Sequence, residues 1–428
     1  MKRILTAALA LLMLLSLAAC GETADISTEN DASASETVVP AEEGFQPSLS
    51  ADTKATLYFV GSWGNFEALD QVALNFQAYY PGVEVVYVKL DDYRNDLANR
   101  FVTGEEIDLF MTDWWDVDYP QSADIIANAE DLNTTEIDFS HLNADMLSLG
   151  VVDGAQLMVP IYQQTFGFMI NLDLFEAAGA EIPTTYSELL TACEVLAAAG
   201  YEQPIYEHDT HYGRSFCGYY LNLVRSGMEE HEAMDATLAR MDELMATGYV
   251  NTEGNSLADS YNAMILRFFE GDIPMQPIPA ANYSGTAKRE ANSEAFTANP
   301  FSYTYIPVPY GDEVSDVYLN ELGSIYVGVY KNSPQAELAN EFLRFLLTDE
   351  EMLVLEQVKN QSTSNINNGM ELVPCFADRS FFSPMAEGMS GAAEAAAVNS
   401  LKNYSSDSAD HSEILTAFEG YLENGFSQ

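Results

Sequence analysis

The chain has 428 residues, 47% of them hydrophobic, and sets 17 Lys and Arg against 66 Asp and Glu for a formal net charge of -49. That length exceeds what one hydrophobic core ordinarily serves, so two globular lobes are expected. The charge excludes nucleic acid as a partner and excludes lying flat on an anionic membrane, since both surfaces would repel it.

The chain opens on a secretion signal. Lys2 and Arg3 precede an apolar run over residues 4–17, and Leu17-Ala18-Ala19-Cys20 closes it with small side chains. The run is too short for a permanent membrane span, and small residues before the break suit a signal peptidase. Leu-Ala-Ala-Cys resembles the lipobox of bacterial lipoproteins, in which the cysteine, here Cys20, receives a diacylglycerol and becomes the mature amino terminus. The other reading is an ordinary cleaved signal. With residues 1–19 removed, the expected product is an extracytoplasmic body, lipid-anchored through Cys20 to the outer face of the cytoplasmic membrane. Residues 20–52 are rich in Ser, Thr, Ala and Glu and too poor in large apolar residues to fold, so they form a flexible tether. Of the other cysteines, Cys193 fits the apolar face of a helix, and a disulfide between Cys217 and Cys375 is left open, because nothing in the sequence sets their distance.

From residue 55 the pattern turns globular. Thr56-Leu57-Tyr58-Phe59-Val60 reads as a buried strand, and Gly61-Ser62-Trp63-Gly64-Asn65 as a turn with Asn65 as helix cap. Phe66, Leu69, Ala73, Phe76 and Tyr80 then recur at helical spacing until Pro81-Gly82 stops them. Residues 83–88 form a second strand, Tyr93, Leu97 and Phe101 mark a helix, and residues 107–111 a third strand. This alternation predicts an α/β lobe with parallel pairing. Further on, residues 158–171 are long and extended, 172–179 a short helix closed by glycine, and Thr185-x-x-Glu188 a capping box for the helix through Leu196. Helical patterns run on to Phe269, interrupted near residues 206–216. Residues 271–275 turn into a short strand, and strands return at residues 303–309 and 325–330. Ser333 and Pro334 are placed as cap and first residue of a helix through Leu347, Thr348-x-x-Glu351 opens the next, residues 392–397 are helical, and residues 412–421 form the last helix.

Several of these stretches together resemble the extracellular carbohydrate-binding proteins of bacterial ABC importers, the maltose-binding-protein-like family. They are Ile107-Asp108-Leu109-Phe110-Met111-Thr112, Val159-Pro160-Ile161, Ile170-Asn171-Leu172-Asp173-Leu174-Phe175, Ala178-Gly179 and Pro183-Thr184-Thr185-Tyr186-Ser187-Glu188-Leu189, with Phe269-Glu270-Gly271-Asp272-Ile273-Pro274-Met275 and Gly323-Ser324-Ile325-Tyr326-Val327 later. The resemblance covers most of the mature chain and implies two α/β lobes joined by crossing strands, with a sugar held in the cleft between them and closure by hinge bending. On that pattern residues 53–162 plus about 303–347 form lobe 1 and residues 163–302 plus about 348–428 form lobe 2. Residues 162–165 lie at the first crossing and 305–322 near the return. Gln164 stands where the maltose-binding member has an acidic residue, and the early Asp-Lys pair of that protein is replaced around Trp63-Gly64.

In α/β sheets ligands sit beyond the carboxyl ends of the strands. A sugar ring offers an apolar C–H face and a belt of hydroxyls, so its site needs flat aromatics with side chains that donate and accept hydrogen bonds. All 3 tryptophans, Trp63, Trp114 and Trp115, fall in the two loops that follow the first and third strands. Ser62 and Asn65 share the first loop, and Asp113 and Asp116 flank the indole pair, where carboxylates would accept sugar hydroxyls. Only one of Gln163 and Gln164 can face the cleft along an extended strand, and the family pattern selects Gln164. Tyr219 with Asn222 and Asn282 with Tyr283 are candidates for the opposing jaw; Glu321 and Gln361 complete the set by the same analogy.

The expected function is that of a monomeric substrate-binding lipoprotein that captures a sugar or oligosaccharide and delivers it to the transmembrane subunits of an ABC permease, with no cofactor and no metal. The alternatives are a receptor for a peptide or polyamine, or an extracellular glycoside-acting enzyme. Against enzymes, no carboxylate pair stands out among so many acids, Gly61-Ser62-Trp63-Gly64 does not match a nucleophile elbow, and no phosphate loop is present. His208-Asp209-Thr210-His211 lacks the helical spacing and third ligand of a zinc site.

Overall fold

A computed structural model describes residues 44–62, 67–112, 127–148, 150–256, 260–280, 286–314, 316–318, 320–359, 361–368, 380–382, 389, 391–408 and 410–424. Residues 44–46 belong to a separate unit from Pro47–Gln428, and every feature below lies in the latter. The leader with Cys20 and most of the tether lie outside the described residues, as does Cys375.

The first three strands are β1 (Lys54–Gly61), β2 (Gly82–Lys89) and β3 (Leu109–Thr112), with helices α1 (Glu67–Tyr79) and α2 (Tyr93–Thr103) between them. β1 pairs in parallel with both neighbours, as the alternation predicts. α1 forms because Ala68, Leu69, Val72 and Phe76 recur on one face. All four are buried, and the Phe76 ring meets Phe342 edge-on at 5.1 Å between centroids. The long extended stretch resolves into β4 (Val159–Gln164) and β5 (Phe166–Asn171), separated by Thr165 alone. Helices α3 (Leu172–Ala178) and α4 (Tyr186–Ala198) follow. Gly179 ends α3 at a φ of 73°, a left-handed turn that glycine adopts without strain.

The chain continues through β6 (Ile205–Tyr206), α5 (Asp209–Ser215), α6 (Cys217–Arg225), α7 (Glu230–Ala246), β7 (Val250–Asn251), α8 (Ser260–Phe268), β8 (Met275–Pro279) and β9 (Tyr303–Pro307). It then passes β10 (Val317–Tyr318), β11 (Asn320–Val329), α9 (Ala336–Leu346), α10 (Asp349–Lys359), β12 (Phe381–Phe382), α11 (Gly391–Leu401) and α12 (Ser412–Asn424). The strands make two five-stranded sheets, in the orders β2-β1-β3-β11-β4 and β9-β5-β8-β6-β7, and a parallel pair β10-β12. Helix packing assigns the rest. Asn75 of α1 donates to Glu351 of α10 at 3.0 and 3.1 Å, so α10 covers the first sheet. The last two helices serve the second lobe, where Phe418 of α12 meets the Tyr220 ring of α6 at 5.8 Å. Gly213 permits the close seat of α5 on α11, since a Cβ there would sit 1.8 Å from the Leu401 carbonyl oxygen.

The lobe boundaries therefore differ from the sequence-based expectation at three places. The first sheet extends through Gln164, because β4 still pairs there with Asn320. Residues 303–307 belong to the second sheet, because β9 pairs with β5 from Tyr303↔Asn171 to Pro307↔Gly167. α10 stays with the first sheet through Glu351. Thr185 caps α4 as expected, its hydroxyl accepting from the Glu188 nitrogen at 3.3 Å, while the Glu188 carboxylate accepts from the Thr184 backbone nitrogen at 2.8 Å. One cap differs. Ser333 does not cap a helix starting at Pro334: its hydroxyl donates to Asp108 at 2.5 Å and accepts from the Gln335 nitrogen, and α9 begins at Ala336.

Candidate functional site

Strand register brings the predicted stretches to one end of each sheet. β3 and β11 run antiparallel with Thr112 opposite Tyr326, and β11 continues back to Asn320, which pairs with Gln164. The carboxyl end of β3 thus points toward the end at which the chain leaves the first sheet. β1 ends beside it, with Val60 opposite Phe110. Gly61 is required there, because a Cβ would meet the Met111 side chain at 2.5 Å. Ser62 follows, half-buried, as the last described residue of that loop.

The second sheet presents its matching end. β8 and β5 are antiparallel with Pro279 opposite Phe166, and the Ala280 nitrogen donates to the Thr165 carbonyl at 2.9 Å. Pro307 lies opposite Gly167, where a Cβ would sit 2.4 Å from the Ile306 oxygen. Gly61, Thr112, Gln164, Thr165, Ala280 and Pro307 are thus the points from which the candidate loops and crossings depart.

At this end a depression open to solvent is lined by Thr165, Phe166, Arg214, Ser215, Gly218, Tyr219 and Asn222, with Pro307, Val308, Tyr310, Gly311, Asp316 and Val317 of the return segment. α6 supplies the wall because residues 218, 219 and 222 fall on one helical face. Tyr219 and Asn222, both predicted, stand together here. The Asn222 amide donates to the Gly218 carbonyl at 2.8 Å, and its own carbonyl oxygen is an acceptor for ligand. Burial raises the Tyr219 hydroxyl above the ordinary tyrosine range, so it stays protonated at neutral pH. Beneath it the Phe216 and Tyr310 rings stack at 3.7 Å, and the Ser215 hydroxyl is 3.0 Å from the Tyr310 oxygen. Asp316 is paired with Arg225 at 2.6 Å.

The other predicted residues fare differently. Gln164 ends β4 and Glu321 lies in β11, each with only its backbone described. Trp63, Asn65, Asp113, Trp114, Trp115, Asp116, Asn282 and Tyr283 lie outside the described residues. Gln361 is 2% exposed, and its amide donates to the Gln163 carbonyl at 2.8 Å, so it braces the crossing strand. Ser362, Thr363, Ser364 and Asn365 are buried beside it. Sequence reasoning missed Thr165 and the lining from α5 and the return segment, because no local motif marks a residue that becomes a wall only when distant segments meet.

Buried titratable groups sit nearby at the carboxyl end of β6. Glu207 is fully buried, and burial pushes its carboxyl well above the usual range; its Oε2 has no hydrogen-bond partner among the described residues. His211 is 2% exposed and burial lowers its imidazole to about 3. No group of three potential metal ligands occurs among the described residues, and Cys193 and Cys217 are free, buried thiols.

A two-sheet α/β body with its depression at the crossing ends defines a solute-binding protein of the periplasmic type. The comparisons agree. Residues 61–353 match the family of bacterial extracellular solute-binding proteins, and the chain belongs to that family of extracytoplasmic binding proteins. No curated protein matches it significantly by sequence. Among solved structures, the GacH receptor of Streptomyces glaucescens, described unliganded and with acarbose, is similar with a TM-score of 0.65 at 16% identity, over 87% of this chain and 100% of that one. The ABC substrate-binding protein Lmo0181 of Listeria monocytogenes, in complex with cycloalternan, gives a TM-score of 0.61 at 16% identity over 88% and 100%. Maltose-bound MalE3 of T. maritima gives 0.61 at 16% over 86% and 99%. These likenesses establish the two-lobed fold.

Proposed function

We propose that the chain is the receptor of an ABC importer, capturing a sugar or oligosaccharide between its lobes and delivering it to the membrane permease. The observation that carries this reading is the depression at the crossing end of the second sheet, where Tyr219 and Asn222 of α6 form one wall beside Thr165 and the return segment. The structurally similar proteins described with acarbose, cycloalternan and maltose support a carbohydrate as the solute. Capture works by differential affinity: a closed arrangement touches the ligand from both lobes, so binding shifts the balance toward it. The lipid on Cys20 keeps the receptor beside its permease, and the chain acts as a monomer.

A polyamine receptor is disfavoured by the lining. Arg214 faces the depression and Asp316 is already paired with Arg225, so no unpaired acid among the described lining residues awaits a polycation. A glycosidase needs two carboxylates flanking its substrate, and among those lining residues Asp316 is the one carboxylate. Calorimetric titration with maltose, maltotetraose, raffinose, spermidine and a tripeptide tests the reading. Saturable binding of a saccharide is expected; binding of spermidine or peptide alone, or turnover of a saccharide, contradicts it.

A further inference from the structure

Arg240 of α7 reaches into the layer behind the depression, with its side chain 14% exposed. Its guanidinium donates to the Tyr310 carbonyl at 2.9 Å and to Asp312 Oδ1 at 3.1 Å, and pairs with Glu243 at 3.3 Å. The same group lies over the Tyr186 ring at 4.1 Å and the Tyr219 ring at 5.2 Å. One planar cation thus touches α4, α6 and the return segment together, and of the two rings it lies over, Tyr219 is the one that lines the depression beside Asn222. The backbone adds a further tie, since the Tyr186 nitrogen donates to the Gly311 carbonyl at 2.8 Å.

We propose that Arg240 is a positioning residue for ligand: it fixes the Tyr219 ring against the depression while binding the return segment to the second lobe. This inference rests on the proposed carbohydrate-receptor reading. The shape of the group is what the role requires. A guanidinium can lie flat on a ring and hydrogen-bond in its own plane at once, whereas an ammonium is a compact point charge that cannot serve both directions. Lysine therefore keeps the charge and loses the arrangement.

The test uses Arg240→Lys, Arg240→Met, Tyr219→Ala and the Tyr219→Ala/Arg240→Met double variant, titrated with maltose, maltotetraose and raffinose. Arg267→Met is the control, because Arg267 pairs with Asp272 and lies over Tyr206, away from the depression. Both Arg240 variants are expected to bind saccharide at least about fivefold more weakly, on the scale of a lost cation–π contact. Arg240→Met should add no loss in the Tyr219→Ala background, and Arg267→Met should bind as the parent does. Wild-type affinity in Arg240→Lys, or equal losses with and without Tyr219, overturns the proposal. Hydrogen exchange on the ligand-free protein supplies a readout independent of the sugar: Arg240→Met should speed exchange over residues 308–314 and leave α11 unchanged. If the parent binds none of the three saccharides, the carbohydrate reading fails and exchange alone decides, with unchanged rates at 308–314 overturning the role of Arg240.

Discussion

Two segments that run between the sheets are fastened by opposite chemistry. Residues 361–365 lie along β4 through hydrogen bonds: the Gln163 nitrogen to Ser362 O at 2.9 Å, the Ser364 nitrogen to Ile161 O at 2.9 Å, and the Ser364 hydroxyl to Pro160 O at 2.7 Å. The buried Glu356 carboxylate accepts from the Thr363 nitrogen and hydroxyl at 3.0 and 2.8 Å. The return segment is held chiefly by guanidinium groups and rings, through Arg240, Arg225 and the Phe216–Tyr310 stack, with the Tyr186 nitrogen to Gly311 O bond beside them. The first fastening belongs to the first sheet and the second to the second. A rotation between sheets would then be absorbed where neither grips, at Thr165 and next to Asn320, where the register of β11 on β4 shifts.

Acid should separate the two regions most strongly. His211 sits in the second lobe with its imidazole lowered from 6.5 to about 3, so the unfolded chain binds a proton that the native state refuses. That stability is present above pH 6.5 and is lost as pH falls toward 3, on the order of 4 kcal/mol at the lower limit. Glu207 acts in reverse. Its raised carboxyl contributes stability present below pH 4.5 and lost as pH rises toward its folded value, so the two slopes oppose one another between pH 4.5 and 6.5. Urea unfolding against pH should show His211→Gln flattening the acid limb and Glu207→Gln the alkaline limb.

Phe216→Ala removes one ring of the stack from a site that is 0% exposed, and should cost about 4 kcal/mol by chemical denaturation. Glu356→Ala leaves the Thr363 donors buried without an acceptor and should cost about 3 kcal/mol. Native-state hydrogen exchange then sharpens the contrast: Glu356→Ala should loosen residues 361–365 and β4, and Phe216→Ala residues 308–314.

Much of this fold was legible in the sequence because its signals are local. Alternation placed β1 to β3, the Thr185 cap placed α4, and Asn171 with Gly179 framed α3. What was not legible depends on distant chain. Residues 303–307 read equally well as a strand of either lobe, and only pairing with β5 decides. The bond from the Gln361 amide to the Gln163 carbonyl was not legible either, because polarity alone does not reveal which distant carbonyl an amide will brace. Tyr219 and Asn222 could be named from the sequence as candidates for the opposing jaw, whereas Arg240 carries no motif and becomes visible only when α4, α6 and the return segment close around it.

We place the saccharide of the proposed receptor in the depression beside Tyr219. The most direct measurement of that placement is the affinity of Tyr219→Ala and Asn222→Ala for whichever of maltose, maltotetraose and raffinose binds the parent. Losses of about tenfold for Tyr219→Ala, the scale of one ring's stacking, and about fivefold for Asn222→Ala, the scale of one hydrogen bond, are predicted with folding intact. Parental affinity in both variants would mean that the saccharide does not sit beside Tyr219.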